Sequence, residues 1–276
     1  MNITVMSFNL RYNTPNDGDN IWPNRVDRVA SIIKDHNPLI IGTQEGYHIM
    51  LTGLNERLED YAWVGNGRLG EHENEHCAVF YKKAELTVRH HGQFWLSETP
   101  YEVGSKSWDS MLPRICTWVH FKHHESGREF LVYNTHLDHF GQTARDRGSV
   151  LIWDTIRSHR TEFGLPLILT GDMNSHPDHF PIRFLRGETD YQGRQTWLKD
   201  AYAALPGTIG LTAHEFKGGD EGEPIDYIFV SPEMEVMETQ VDRREINGGY
   251  PSDHYPIVTF IQINDDVFKQ QAYADN

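Results

Sequence analysis

Cysteine is nearly absent from this chain: Cys77 and Cys116 are the only two in 276 residues. Each falls in a strand-like apolar run, CAVFY and ICTWVHF. Such positions predict buried free thiols. A disulfide stays open, but nothing in the chain calls for an oxidising compartment. Long apolar stretches are also missing. The densest, Leu165-Pro166-Leu167-Ile168-Leu169, is far too short to span a bilayer. The opening MNITVMSFNL has neither the basic region nor the apolar core of a signal peptide. The expectation is a cytoplasmic protein with no membrane partner.

Positive charge is scarce. Against 40 Asp+Glu the chain has 25 Lys+Arg, a formal net charge of −15. So acidic a surface repels phosphate backbones at long range and disfavours a sequence-blind nucleic-acid partner. No Lys/Arg stripe interleaved with aromatics offsets it. Two motifs are lacking as well. Without Gly-x-x-x-x-Gly-Lys there is no indication of nucleotide-driven phosphoryl transfer. Without Gly-x-Ser-x-Gly a serine hydrolase is disfavoured. Repeats, low-complexity tracts and linkers are not found, and no protein partner is indicated.

What is present is an ordinary globular balance, 38% hydrophobic and 24% charged, on a chain long enough to bury a sizeable core. Ile3 to Phe8 reads as a strand. Val26, Val29, Ala30 and Ile33 then recur at helical spacing, with Pro23 in the first turn and a stop before Pro38. Leu39 to Gln44 is a short buried strand delivering Glu45, and Leu51, Leu54 and Leu58 share a second helical stripe. Runs at 77–81, 86–88, 115–121 and 130–135 follow as strands. A helix from about Thr143 to Glu162 precedes strands at 167–170, 225–230 and 257–263. Lys217 to Glu223 reads as an exposed loop. Roughly a dozen strands with a few helices suggest two packed sheets with helices outside.

The polar residues that stand out do so by position. Asn9, Glu45, His136, Asp172, Asn174, Asp226, Asp253 and His254 each closely follow, interrupt or precede an apolar run. Strand ends in layered α/β proteins project side chains into the rim where ligands bind. Singly, each has a plain structural explanation: Asn9 as a turn cap, Glu45 as a solvated loop acid, Asp172 as an Asx turn. Together they form a consistent chemical set. Glu45, Asp172 and Asp253 are hard oxygen donors, Asn9 and Asn174 neutral ones. No Cys/His cluster accompanies them, so Mg²⁺ or Mn²⁺ fits better than Zn²⁺. His136 and His254 can exchange protons near neutral pH, and Asp226 could fix the tautomer of one. A hard cation, carboxylates and paired histidines suit phosphoester hydrolysis, where metal neutralises phosphate charge and a base aims water.

The ordered series Ser7-Phe8-Asn9, Gln44-Glu45, Asn134-Thr135-His136-Leu137, Gly171-Asp172-Met173-Asn174-Ser175, Ile225-Asp226-Tyr227-Ile228 and Ser252-Asp253-His254-Tyr255-Pro256-Ile257 resembles the endonuclease/exonuclease/phosphatase superfamily. The resemblance implies a four-layer α/β/β/α sandwich, two packed mixed sheets flanked by helices. We expect one catalytic domain over residues 1–264 and a C-terminal tail over 265–276. The resemblance further implies Glu45 as principal metal ligand, helped by Asn9 and Asp253. Asp172 and Asn174 would position the attacking water and a phosphate oxygen. His254, paired with Asp226, would be base or phosphate stabiliser, and His136 would donate to a phosphate oxygen or the leaving group. Glu75 falls where pancreatic deoxyribonuclease-like members set an acid against that histidine, with a solvated loop as the alternative.

Arg114, ahead of an alternating strand, could clamp a phosphate bidentately or lie on the surface. Arg145 and Arg147 read as a solvated helix face; Trp22, Trp95, Trp108 and Trp197 read as core or edge packing. The run Asn134 to His139 and the Asp-Gly…Trp-Pro-x-Arg segment from Asp17 to Arg25 resemble a bacterial cytoplasmic branch of the superfamily, that of maltose 6′-phosphate phosphatase. Asp138 and His139 lack counterparts in the deoxyribonuclease pattern and are expected to narrow the pocket. The expectation is a Mg²⁺-dependent phosphomonoesterase, with Mn²⁺ as the other candidate ion, acting on a small phosphorylated substrate such as a sugar phosphate. A nuclease or other phosphodiesterase could use the same metal site, and an inactive binding scaffold is the remote alternative. An open basic channel would favour nucleic acid; a closed pocket would favour a small substrate.

Overall fold

The computed structural model describes residues 1–263, so the expected tail over 265–276 lies outside the described residues. The opening β-α-β-α is found as β1 (Asn2–Asn9), α1 (Trp22–His36), β2 (Ile40–Tyr47) and α2 (His48–Arg57). Pro23 sits in the first turn of α1. Asn37, left-handed at φ 48°, closes that helix with its N–H on Ile33 O at 2.8 Å. The strands β3 (Tyr61–Val64), β4 (Glu75–Lys82), β5 (Leu86–Trp95), β6 (Ile115–His123) and β7 (Glu129–His136) follow. Next come α3 (Gln142–Phe163), β8 (Leu167–Asp172), α4 (Phe180–Leu185), β9 (Lys199–Asp200), β10 (Asp226–Val230), β11 (Met234–Val241) and β12 (Ile257–Ile263).

They form two six-stranded mixed sheets, ordered β11-β12-β1-β2-β4-β3 and β5-β6-β7-β8-β10-β9. The period-two alternation of a strand sorts β1 between two cores. Ile3 and Val5 point between the sheets and join Ile40, Val79, Leu131 and Leu169. Met6 and Phe8 point outward and join Val26, Val29 and Ile33 of α1 with Leu51 and Leu54 of α2. Each such side chain contributes about 1.5–3 kcal/mol by leaving water. Among the described residues, no helix is long and apolar enough to cross a membrane.

The inter-sheet core is not wholly apolar. Gln44 Nε2 donates to Asn134 Oδ1 at 2.7 Å, and Asn134 Nδ2 donates to Thr43 O and Ala78 O at 2.8 and 3.0 Å. Thr170 Oγ1 also reaches Asn134 Oδ1, at 3.0 Å. The sheets approach closely here because position 42 is glycine: a β-carbon there would stand 2.0 Å from Thr170 Oγ1. This buried, paired seam fixes how the two sheets register beneath the site.

Several elements were not foreseen. β11 reads poorly as a strand because its ladder with β12 slips between Val236 and Glu238. Val236 and Val241 are half-buried and Thr239 buried, so a single period of two is broken. The β5 strand runs seven residues past the expected Val88, through the polar Arg89-His90-His91. Arg145, expected on a solvated face, is buried, with Nη1 donating to Asp138 O at 2.9 Å and Nη2 to Gln142 Oε1 at 2.7 Å. Its guanidinium caps the turn before α3, a role that its helical spacing does not reveal.

Candidate active site

Strand register sets three of the expected residues abreast. His136 ends β7 opposite Asp172 at the end of β8, and Asp226 opens β10 opposite the same Asp172. From the facing sheet, Asn9 ends β1 opposite Gln44, the residue before Glu45. At Glu45 the β2–β4 ladder slips, and φ is 63°. A left-handed backbone at a non-glycine residue costs about 1–3 kcal/mol. The bulge turns the carboxylate into the cleft, where Oε1 accepts from Asn9 and Oε2 from the Tyr12 N–H.

Asn9 links the two carboxylates of the cleft. Its Nδ2 donates to Glu45 Oε1 and to Asp172 Oδ2, both at 3.0 Å, while Oδ1 accepts from Arg11 N at 2.9 Å. It braces two carboxylates. Asp253 Oδ2 is 3.5 Å from Arg11 Nε and its Oδ1 accepts from Ser252 at 3.3 Å. Among the described residues, the donors that converge are Glu45, His136 and Asp172, and separately Asp172, Asp226 and His254. The first group suits a divalent cation, with two carboxylates and an imidazole available as ligands.

The histidines differ in protonation. Asn174 Nδ2 lies 3.0 Å from Leu137 O, which can only accept, so that end of the amide is the NH₂. The same nitrogen is 3.0 Å from His136 Nε2. Nε2 therefore accepts, and the His136 proton sits on Nδ1. Burial, then Arg114, holds this ring well below its usual pKa. His136 thus turns its Nε2 lone pair to Asn174. His254 is the opposite case. Burial alone would lower it, but Asp226, 2.8 Å from Nδ1, together with Asp253 and Asp172 raises it well above the usual value. Asp172 is pushed up to about 7, by burial first and Asp226 second. Its Oδ1 accepts from Asn174 N at 2.9 Å, an Asx turn closed by Asn174 at φ 44°.

Glu45, His136, Asp172, Asn174 and His254 line a cavity of about 480 Å³ together with Arg11, Tyr12, Tyr47, Arg68, Glu75, Met111, Leu112, Arg114 and His139. Glu75 is in the wall, but its partner is Arg68, at 2.8 and 3.1 Å, and not His136. Asp138 does not narrow the cavity; it is buried behind it, accepting from Phe140 N and Gly141 N at 3.0 and 2.7 Å. Arg114 is buried beside it, with Nη2 2.8 Å from His139 Nδ1. Arg11, Tyr12 and Tyr47 were missed although each lies within three residues of an expected site residue, a signal that could have found them. Arg68, on an otherwise polar loop, carries no such signal.

Arg25 closes the Asp17-to-Arg25 motif and ties two loops together. Fully buried, it donates to the carbonyls of Asn20 (2.6 Å), Leu10 (2.9 Å), Arg11 (3.0 Å) and Pro251 (2.7 Å). One guanidinium thus pins the loop after β1 to the segment carrying Asp253 and His254.

Comparison with known proteins matches this arrangement. Residues 6–254 match a sequence profile described as the Endonuclease/Exonuclease/phosphatase family. A family protein from Bacteroides thetaiotaomicron superposes with TM-score 0.87 at 33% identity, covering 96% of this chain and 98% of that one. A mannosyl-6-phosphatase from the same organism superposes with TM-score 0.86 at 33% identity, covering 94% and 99%. An uncharacterised protein of Acanthamoeba polyphaga mimivirus is 27% identical over 162 residues, 56% of this chain and 59% of the viral protein. The match therefore spans about three fifths of that relative's length.

Proposed function

Because the chain belongs to the endonuclease/exonuclease/phosphatase family, we propose that it is a divalent-metal-dependent phosphomonoesterase acting on a small polar substrate such as a sugar phosphate. The observation that carries this reading is the cavity of about 480 Å³, in which carboxylates, three histidines and three arginines face one another. Cavities of this size suit small molecules. The neighbour named mannosyl-6-phosphatase supports a sugar phosphate. With a net charge of −15, nucleic acid is a poor partner.

Glu45 and Asp172 would hold Mg²⁺ or Mn²⁺, and His136 would join them once Nε2 exchanges Asn174 for the ion. Bound there, the ion would neutralise phosphate charge. Asp172 and Asn174 orient the attacking water, and Asn9 keeps Asp172 aimed. His254, protonated and backed by Asp226, stabilises the charge that develops on phosphate oxygens. Asp253 tunes His254 and braces Arg11. Free, buried Cys77 and Cys116 suit a reducing interior, and a cytoplasmic location follows from that reading.

The test is phosphate release from a panel of sugar phosphates, nucleotides and inositol phosphates, with Mg²⁺, Mn²⁺ or EDTA, beside single- and double-stranded DNA and poly(A) RNA. Metal-dependent phosphate from a sugar phosphate is the expected result. Strand cleavage without free phosphate would replace this reading with a nuclease.

A further inference from the structure

The partners of the three cavity arginines set one apart. Arg11 is matched by both oxygens of Asp17, each at 2.9 Å, and Arg68 by both oxygens of Glu75. Among the described residues Arg114 has no such two-point match. Its nearest carboxylate oxygen, Asp138 Oδ2, is 3.5 Å from Nε and is shared with Ser110 Oγ at 3.2 Å. Its Nη2 turns instead to His139 Nδ1, 2.8 Å away.

That contact fixes a tautomer. A guanidinium has donors only, so Nδ1 of His139 must accept and the ring is neutral with its proton on Nε2. Asp138 holds the turn that carries this ring, through the N–H groups of Phe140 and Gly141. The cavity wall therefore carries the Arg114 guanidinium, in only a single-point pair with Asp138, beside an exposed neutral imidazole whose Nε2–H is not used by Arg114.

We propose that Arg114 and His139 act as one device selecting phosphomonoesters over phosphodiesters, an inference that rests on the phosphoester-hydrolase reading above. A monoester has three peripheral oxygens and nearly two negative charges at neutral pH. A diester has two such oxygens and one charge, with carbon on the third oxygen. The groups around Glu45 and His254 serve two oxygens. Arg114 and His139 Nε2–H receive the third, which a diester cannot present as an anion. His139 is a positioning residue for the guanidinium as well as a donor.

The experiment measures kcat and KM for p-nitrophenyl phosphate and for methyl p-nitrophenyl phosphate with saturating Mn²⁺. The variants are His139→Ala, His139→Gln and Arg114→Lys. His139→Ala and Arg114→Lys should each lower the monoester-to-diester ratio of kcat/KM by roughly ten- to hundredfold, the scale of a lost hydrogen bond to a charged group. The loss should sit mainly in the monoester KM. His139→Gln, with an oxygen to accept from Arg114 and an amide to donate, should restore most of the ratio. A ratio that stays within about threefold of wild type, whether both activities fall together or neither does, overturns the inference alone. A wild-type protein that hydrolyses neither ester overturns the inference and the phosphoester-hydrolase reading together.

Discussion

His254 Nδ1 lies 2.8 Å from Asp226 Oδ2, and the same oxygen accepts from Thr212 Oγ1 at 2.6 Å. The carboxylate is buried and cannot rotate away without stranding both donors. It fixes the imidazole with Nδ1–H inward and keeps it charged. His254→Ala should lower turnover by roughly 10²–10⁴-fold. Asp226→Asn removes the charge that raises His254, so the alkaline limb of the pH–rate profile should move toward acid. A profile unchanged in Asp226→Asn would separate His254 from the chemistry.

Glu45 and Asn9 make distinguishable predictions about the metal. Glu45→Gln weakens a ligand and should raise the half-saturating Mn²⁺ concentration. Asn9→Ala leaves the ligands in place but frees Glu45 and Asp172 to move, and should cost about 10- to 100-fold in affinity or activity, the usual scale for groups that orient ligands. Titration of activity with Mn²⁺ after EDTA treatment reads both. An unshifted Mn²⁺ requirement in Glu45→Gln would remove that residue from the metal group.

Arg25 is the largest single stability prediction. Arg25→Met leaves four carbonyl acceptors without their donor, and one buried orphan costs about 1–3 kcal/mol. A loss of at least about 3 kcal/mol in urea unfolding is expected, with reduced turnover because the segment holding His254 is unpinned. A variant as stable as wild type would mean that the loops hold their positions without it.

Two buried histidines outside the chemistry predict acid sensitivity. His76 and His214 are each held near a pKa of about 4, against an ordinary 6.5, chiefly by burial. Above pH 6.5 both are neutral folded and unfolded, and neither adds a pH dependence. As pH falls toward 4 the unfolded chain takes protons that the folded chain refuses. Stability should fall by on the order of 3 kcal/mol per residue across that window. His214→Phe keeps a ring against Tyr255 and should remove its share of the slope in urea unfolding between pH 7 and 5, whereas an unchanged slope would contradict the assignment.

The site was legible wherever a polar residue interrupts an apolar run. Asn9, His136 and Asp172 announce themselves because a buried strand ends there, Asp226 and His254 because one begins at or just after them, and their order along the chain carries the resemblance. Element types were legible in buried strands and in α1, whose spacing is clean. Roles were less so. The sequence names Glu45 but not its bulge, which depends on a ladder slip against β4. It names Asn9 but not the direction of its amide, which two distant carboxylates decide. Gln44 and Asn134 stand in the quoted motifs, yet their joint work as a seam between sheets needs the close approach at Gly42. Arg145 reads as a surface residue, and the roles of Arg25 and Arg145 stay hidden, because the backbone carbonyls that receive their guanidinium groups are encoded by no side-chain pattern.

Monoester hydrolysis is tested most directly by ³¹P NMR. Wild-type protein with Mn²⁺ would be given a hexose 6-phosphate and a dinucleotide together in one tube. Growth of the inorganic phosphate resonance at the expense of the hexose phosphate, with the diester resonance intact, is the predicted result. Decay of the diester while the hexose phosphate persists would contradict it.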